Sequence, residues 1–288
     1  MSNNNNIKPF LKWVGGKTKL LAEIEKNFPK NLRNKKFSYV EPFLGGGAVF
    51  FYLSQKHNIE KAYLNDLNKK LINAYTDVKD NCFELIEKVK KLESDYYGSI
   101  DKKTFFLDKR KEFNSSNKSI QKSALFVFLN KTGFNGMYRE NSKGEYNIPF
   151  GQMKKPLICN ESLLKNISKL LNDKKVVFSS KSFEKVMADE KEAFYYLDPP
   201  YRPISKTSSF TDYTKKSFDD EMQLSLKDYC DKVDEKGSFF MQSNSYSEDG
   251  FFQNLYQNRK INNLKVMRTI SAEGKKRKKV SEILIKNY

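Results

Sequence analysis

The strongest constraint on how this chain folds is an apolar run that stops at two prolines. Phe194-Tyr195-Tyr196-Leu197 has the unbroken bulky pattern of a buried strand and runs directly into Asp198-Pro199-Pro200-Tyr201. Proline locks φ, and a residue before proline is driven to extended geometry. Asp198 and Pro199 both precede a proline, so the strand must end in a stiff turn whose carbonyls point in fixed directions.

Similar short runs at 38–42, 61–64, 176–179, 238–242, 264–268 and 282–285 read as strands. Helical spacing marks 17–28, through Leu20, Leu21, Ile24 and Phe28, and also 48–53 and 219–233. Strands alternating with helices predict an α/β fold with a mostly parallel sheet covered on both faces. The 23 Phe and 16 Tyr among 288 residues supply the core such a domain needs. Between Asn68 and about Cys159 the pattern changes. Leu71, Ile72, Tyr75 and Val78, then Phe83, Ile86, Val89 and Leu92, then 124–129, have helical spacing, whereas 132–155 is irregular and rich in glycine. The expected organisation is one α/β domain, 1–69 with 160–288, interrupted at 70–159 by a mainly helical module carrying a long loop.

Glu41-Pro42-Phe43-Leu44-Gly45-Gly46-Gly47 leads from a strand toward a helix, and Asp66 follows the next strand, 21 residues beyond Gly45. Glycines let a backbone approach a ligand closely, and an acid so placed can bind ribose hydroxyls. The pattern suits an adenosine-type cofactor; a tight turn with a solvated Asp66 would leave the same trace. Upstream, Trp13-Val14-Gly15-Gly16-Lys17 offers backbone N–H groups and a lysine at a helix start, suited to a carboxylate, or else simply a core Trp13 and a solvated Lys17.

The stiff turn suits the presentation of an exocyclic amino group. Such a group has two N–H donors and a weakly nucleophilic lone pair. The Asp198 carboxylate and the Pro199 carbonyl can accept both hydrogens, which builds density on nitrogen toward an incoming methyl group, while Tyr201 stacks on the base. The bland alternative is a strand-ending turn without chemistry.

Lys and Arg number 53 against 35 Asp and Glu, a formal net charge of +18. That excess suits a polyanionic partner, since each basic group set on a phosphate releases counterions; a Lys- and Asn-rich codon bias would also produce it. Cys82, Cys159 and Cys230 fit neither a disulfide framework nor a zinc site, and the single His57 excludes any site needing two, so no metal is expected. The polar start, Met1 to Asn6, does not resemble a signal peptide, and no run is apolar enough to span a bilayer. A reduced, cytoplasmic protein is expected, with no membrane partner.

Taken together, Phe10-Leu11-Lys12-Trp13-Val14-Gly15-Gly16-Lys17, the Glu41–Gly47 segment, Asp66 and Asp198-Pro199-Pro200-Tyr201 resemble the DNA adenine-N6 methyltransferases of the Dam/DpnII type (D12 class, alpha group). Phe134-Asn135-Gly136-Met137-Tyr138-Arg139, Asn147-Ile148-Pro149-Phe150-Gly151, Phe210-Thr211-Asp212-Tyr213 and Arg277-Lys278-Lys279-Val280 extend the likeness over nearly the whole chain. The resemblance implies a Rossmann-like methyltransferase domain interrupted by a target-recognition domain. It implies S-adenosylmethionine as cofactor and S-adenosylhomocysteine as product, with Trp13, Lys17, Glu41, Phe43, Gly45, Gly47, Asp66, Phe183 and Asp198 around it. Asp198, Pro199, Pro200 and Tyr201 would hold a flipped adenine in double-stranded DNA. Phe134, Asn135, Met137, Arg139, Pro149, Lys154, Lys155, Lys275, Lys276, Arg277 and Lys278 would contact DNA. The setting implied is a bacterial cell or a phage-infected host, with a separately acting restriction endonuclease as a possible companion. Relatives of this kind most often methylate GATC. Here Gln152-Met153 stands where the family commonly has Arg-Tyr, a departure in the recognition loop.

Physical chemistry allows Arg139 to fork onto guanine O6 and N7, although a phosphate clamp or plain surface charge fits the residue too. Phe134 and Asn135 could fill the gap left by a flipped base or merely pack the loop. The 274–279 run could contact phosphates or be solvated. Two other functions stay open on sequence: the same chemistry on RNA or a protein amide, and a non-catalytic DNA-binding relative.

Overall fold

The computed structural model describes residues 7–117, 119–202, 218–267 and 279–288. In chain order the elements are α1 (Leu21–Lys26), β1 (Phe37–Glu41), α2 (Ala48–Ser54), β2 (Ile59–Asn65), α3 (Lys69–Asp80), α4 (Cys82–Gly98), α5 (Lys102–Ser115) and α6 (Ile120–Thr132). There follow α7 (Glu161–Asp173), β3 (Val177–Ser179), β4 (Phe194–Leu197), α8 (Asp220–Glu235), β5 (Phe239–Ser245), α9 (Phe251–Leu255), β6 (Lys260–Met267) and β7 (Lys279–Lys286). The chain packs into two units. One holds the residues up to Lys17, Gly45–Lys56 and Asp66–Ser180; the other holds Thr18–Leu44, His57–Asn65 and Lys181–Tyr288.

In the second unit the sheet runs β2-β1-β4-β5-β7-β6. β1 is parallel to β2 and β4, β4 is parallel to β5, and β7 is antiparallel to both β5 and β6. Every residue of β1 and β4 is buried, as a strand covered on both faces requires. Val40, Tyr195, Leu197, Phe240, Ile283 and Ile285 form one apolar face and share a core with Leu226, Tyr229 and Val233 of α8. Each such burial contributes about 1.5–3 kcal/mol. Asp219 starts α8 by accepting the Met222 N–H, the usual work of an N-cap carboxylate.

Register positions the functional edge. β4 and β5 pair from Phe194↔Phe239 to Leu197↔Gln242, so the next residues, Asp198 and Ser243, sit side by side. Because β7 is antiparallel, its early residue Glu282 lies opposite Ser245, near the carboxyl end of β5. Ligands of open α/β sheets bind at that end of the parallel strands.

In the first unit α6 is buried on all sides from Ser123 to Asn130. Phe128 meets Tyr96 of α4 and Phe105 of α5, and Phe126 meets Phe113. This helical body contains the whole of 70–159.

Several sequence expectations need adjustment. The first helix begins at Leu21, not at residue 17, because Lys17 folds back to donate to the Gly15 carbonyl at 2.8 Å. Trp13–Gly16 is accordingly a turn, closed by Gly16 N–H on the Trp13 carbonyl, and not a helix start. Helix α5 falls within the module expected to be mainly helical, but neither it nor α7 is delimited by the sequence pattern. Phe83, read as part of an apolar stripe, is 74% exposed; Leu85, Ile86, Val89 and Leu92 form the buried face of α4. The segments 1–6, Phe210-Thr211-Asp212-Tyr213, Lys275, Lys276, Arg277 and Lys278 lie outside the described residues.

Candidate functional site

At the carboxyl end of the sheet in the second unit, Asp198 follows β4 and is partly exposed, with Pro199 buried and Pro200 exposed behind it. Ser243 Oγ donates to Asp198 Oδ1 at 2.9 Å, and the Tyr196 hydroxyl donates to Ser243 Oγ at 3.1 Å. The Tyr201 hydroxyl donates to Glu282 Oε2 at 2.8 Å. Glu41, the last residue of β1, is buried and accepts from the Tyr39 hydroxyl at 2.9 Å. Burial, and then the Asp198 charge, push the Tyr196 and Tyr201 hydroxyls far up; burial, and then Glu41, do the same for Tyr39. Tyr39 and Tyr201 thus donate to carboxylates and Tyr196 to the serine that bonds Asp198, and none of the three is a proton source.

Beside this cluster Phe43 packs on Phe183 at 5.4 Å and on Phe218 at 5.9 Å. Phe183 is buried in the core and Phe43 is only partly buried. The chain leaving Tyr201 is anchored by Arg202. Its guanidinium bonds both oxygens of Asp220, at 2.5 and 3.0 Å, and Asp249 at 2.5 Å, and lies over the Phe251 ring at 4.2 Å.

In the first unit, Asp66 ties the glycine turn. Its Oδ2 accepts the Gly45 N–H and its Oδ1 the Asn68 N–H, each at 2.9 Å. Burial raises the Asp66 carboxyl above its ordinary value, against the pull of those two donors. Gly45 has φ +48°, and a Cβ there would stand 2.9 Å from Trp13 Cδ1. The indole, read from sequence as a cofactor contact or a core residue, thus packs against the turn itself. An indole, a buried Lys17, a left-handed glycine turn and a carboxylate form a donor set that fits an adenosine with an amino-acid tail. An ionised carboxylate offers about four lone-pair sites, so Asp66 keeps acceptor capacity beyond the two backbone donors.

Also in the first unit, the 133–155 loop is held as a structured platform. Gly133 and Phe150 form an antiparallel bridge, and the Phe134 N–H bonds the Pro149 carbonyl at 2.9 Å. Phe134 is 49% exposed, and Asn135 beside it is a non-glycine residue with φ +53°. Backbone held in that region is costly and concentrates at functional sites. Arg139 is exposed, and its Nε donates to Asn147 Oδ1 at 2.8 Å. Met137 is half-buried; Pro149, Lys154 and Lys155 are exposed.

Lys12, Asn130, Asn147, Ser243 and Glu282 went unremarked as site residues in the sequence. Asn130 holds both backbone groups of Lys12, at 2.9 and 2.8 Å, and the Gly136 carbonyl at 3.1 Å. One signal was available for Ser243: Gln242-Ser243-Asn244-Ser245 is a polar run inside a buried strand. Buried polar groups demand partners; Ser243 finds Asp198 at the end of β4, whereas Gln242 takes the Tyr256 hydroxyl. Cys82, Cys159 and Cys230 are buried, and burial raises their thiols, Cys159 to about 11. None is a ready thiolate nucleophile. Among the described residues no group of His, Cys, Asp and Glu could hold a metal ion, and no helix is long and apolar enough to cross a membrane.

The mostly parallel sheet, with an acidic turn closing its fourth strand, is that of a Rossmann-like methyltransferase. The chain belongs to the D12 class of N6 adenine-specific DNA methyltransferases, whose family model matches residues 13–270. It is similar to the Type II methyltransferase M.MjaIII of Methanocaldococcus jannaschii, 43% identical over 98% of this chain and 99% of that one. It is also similar to the Type II methyltransferase M1.LlaDCHI of Lactococcus lactis subsp. cremoris, at 36% over 99% and 97% of the two chains. The DNA adenine methylase of Haemophilus influenzae is 36% identical over 96% of this chain and 92% of its own. This protein is a DNA adenine methyltransferase.

Proposed function

We propose that the enzyme methylates N6 of an adenine flipped out of double-stranded DNA, within GATC, and takes the methyl group from S-adenosylmethionine. The observation that carries this reading is the Ser243 bond to Asp198 Oδ1 at the end of β4. It fixes one carboxylate oxygen and so aims the group, and the carboxylate and the Pro199 carbonyl accept the two amino hydrogens. The amino nitrogen is then oriented, and the charge it develops is stabilised by a preorganised acid. Tyr201 stacks on the base. Trp13, Lys17, Gly45, Gly47 and Asp66, with Glu41, Phe43 and Phe183, hold the cofactor; when bound, the cofactor supplies an electrophilic methyl group.

Residues 70–159 serve as the target-recognition domain, and 1–69 with 160–288 as the catalytic domain. The Asn147 contact orients the Arg139 fork, and its terminal nitrogens read a guanine. Phe134 and Asn135 enter the duplex where the adenine leaves. Lys154 and Lys155, together with Lys275, Lys276, Arg277 and Lys278, meet phosphates, which position without specifying sequence. Methyl transfer is direct, without a covalent enzyme–DNA link. The Type II names of two relatives favour a companion restriction endonuclease that acts separately in the same cytoplasm.

The test is to incubate the enzyme with labelled S-adenosylmethionine and duplexes carrying GATC or each of its single-base variants, then chromatograph the nucleosides. Label in N6-methyladenine, strongest for GATC, supports the reading. Label in another base, or equal label in all duplexes, contradicts it.

A further inference from the structure

Glu282 occupies a place where a carboxylate needs a reason. It is 4% exposed, and burying a charge is costly unless bonds compensate. It lies on an inner strand, paired with Ser245 of β5 on one side and Leu264 of β6 on the other. Ladders on both sides hold its backbone, so its side chain starts from a fixed point. That side chain accepts the Tyr201 hydroxyl at 2.8 Å, reaching the last residue of the turn from 81 positions away in sequence.

We propose that Glu282 is a positioning residue for the target base, locking the Tyr201 ring through its hydroxyl and keeping that ring electron-rich beneath the adenine. This inference rests on the proposed stacking of Tyr201 on the base. Two physical effects carry it. A tyrosine tethered at its far end loses its rotamer freedom before the base arrives, so base binding does not have to supply that ordering. A phenol that donates to a carboxylate also shifts electron density into its ring, which strengthens the attraction of the ring face for positive charge. The amino group gains such charge as it is methylated, so the contact favours the transition state over the bound base and acts on kcat more than on KM.

The experiment combines Glu282→Gln, Tyr201→Phe and the double variant in the full chain. Steady-state kinetics on a GATC duplex are measured alongside the fluorescence of a duplex with 2-aminopurine in place of the target adenine. Each single variant should lose kcat about tenfold, the size expected for one charge-assisted hydrogen bond, with KM for DNA within about twofold. The double variant should be no slower than the slower single one, because both changes remove the same contact. Bound 2-aminopurine should be brighter in both single variants than in wild type, since a loosened ring quenches it less. Tyr201→Phe probes the contact from its other end, so poor folding of Glu282→Gln leaves the proposal open to refutation. Multiplicative losses in the double variant, or wild-type kcat in either single one, would overturn the positioning role while leaving the proposed function standing. A wild-type enzyme that leaves adenine unmethylated would overturn both.

Discussion

Ser243 Oγ, in β5, donates a 2.9 Å hydrogen bond to Oδ1 of Asp198, the residue that ends β4. Tyr196, two residues before Asp198, donates to the same serine oxygen at 3.1 Å. The serine therefore passes the order of the buried sheet to the acid. Ser243→Ala should keep the fold and lower single-turnover methylation by roughly 10–100-fold, the range for losing a hydrogen bond to a charged group. Rapid-quench kinetics with saturating DNA and cofactor check this, and an unchanged rate would show that the acid needs no such orientation.

Asp66 should matter to cofactor binding more than to chemistry. It closes the glycine turn through the Gly45 N–H, so Asp66→Ala releases a backbone donor as well as a ribose partner. Cofactor Kd, measured by calorimetry, should rise at least about tenfold, and the melting temperature should fall with a loss of about 1–3 kcal/mol for the unsatisfied group. Asp66→Asn, which keeps one acceptor, should fall between the two. Wild-type affinity in the alanine variant would remove Asp66 from the cofactor site.

Arg139→Ala should cost discrimination more than rate on the best site. A fork on guanine contributes ~1–3 kcal/mol of selectivity at one base pair. Relative kcat/KM on GATC and its single-base variants should converge at that position alone. A uniform loss across every duplex would make Arg139 a phosphate contact instead.

Lys131 gives a pH-dependent prediction. Burial, with Lys12 and Lys8 as nearby like charges, lowers its ammonium to about 8. The unfolded chain holds that proton more tightly, so between about pH 8 and 10.5 it binds more protons than the folded protein and this group's contribution to stability rises with pH. Below that window both states are charged and the burial cost is felt in full. Lys131→Met should stabilise the protein by about 1–3 kcal/mol near neutral pH, with the gain shrinking toward pH 10.5. Urea denaturation of both proteins at pH 7 and pH 10 measures it; an equal difference at the two pH values would contradict the assignment.

The parts of the fold legible in sequence were those written locally. Phe194–Leu197 is bounded in the structure as its residues predict, because four bulky residues followed by prolines leave no other way to end. Asn68 and Asp219 sit at the starts of α3 and α8 and cap them. Helix α5 was hidden because Phe106 and Phe113 are its only buried residues among many charged ones, which leaves no continuous apolar stripe. Phe83 misled because spacing alone does not say which side of a helix is covered. The Asp-Pro-Pro-Tyr turn was visible, but its supports were not. Ser243 is 45 residues from Asp198 and Glu282 is 81 from Tyr201, and only strand register and the antiparallel seventh strand bring them into contact. The division into units, which parts Leu44 from Gly45 within one motif, has no local signature either.

The central claim is that the Asp198 carboxylate orients and stabilises the amino group under methylation. Its most direct test is single-turnover formation of N6-methyladenine by Asp198→Ala and Asp198→Asn, with melting temperature and DNA affinity measured on the same preparations. Both variants should melt and bind DNA close to wild type, while the alanine variant loses at least about 100-fold in rate, the cost of removing one preorganised electrostatic partner. A folded, DNA-binding Asp198→Ala enzyme that forms N6-methyladenine at nearly the wild-type rate would contradict the account.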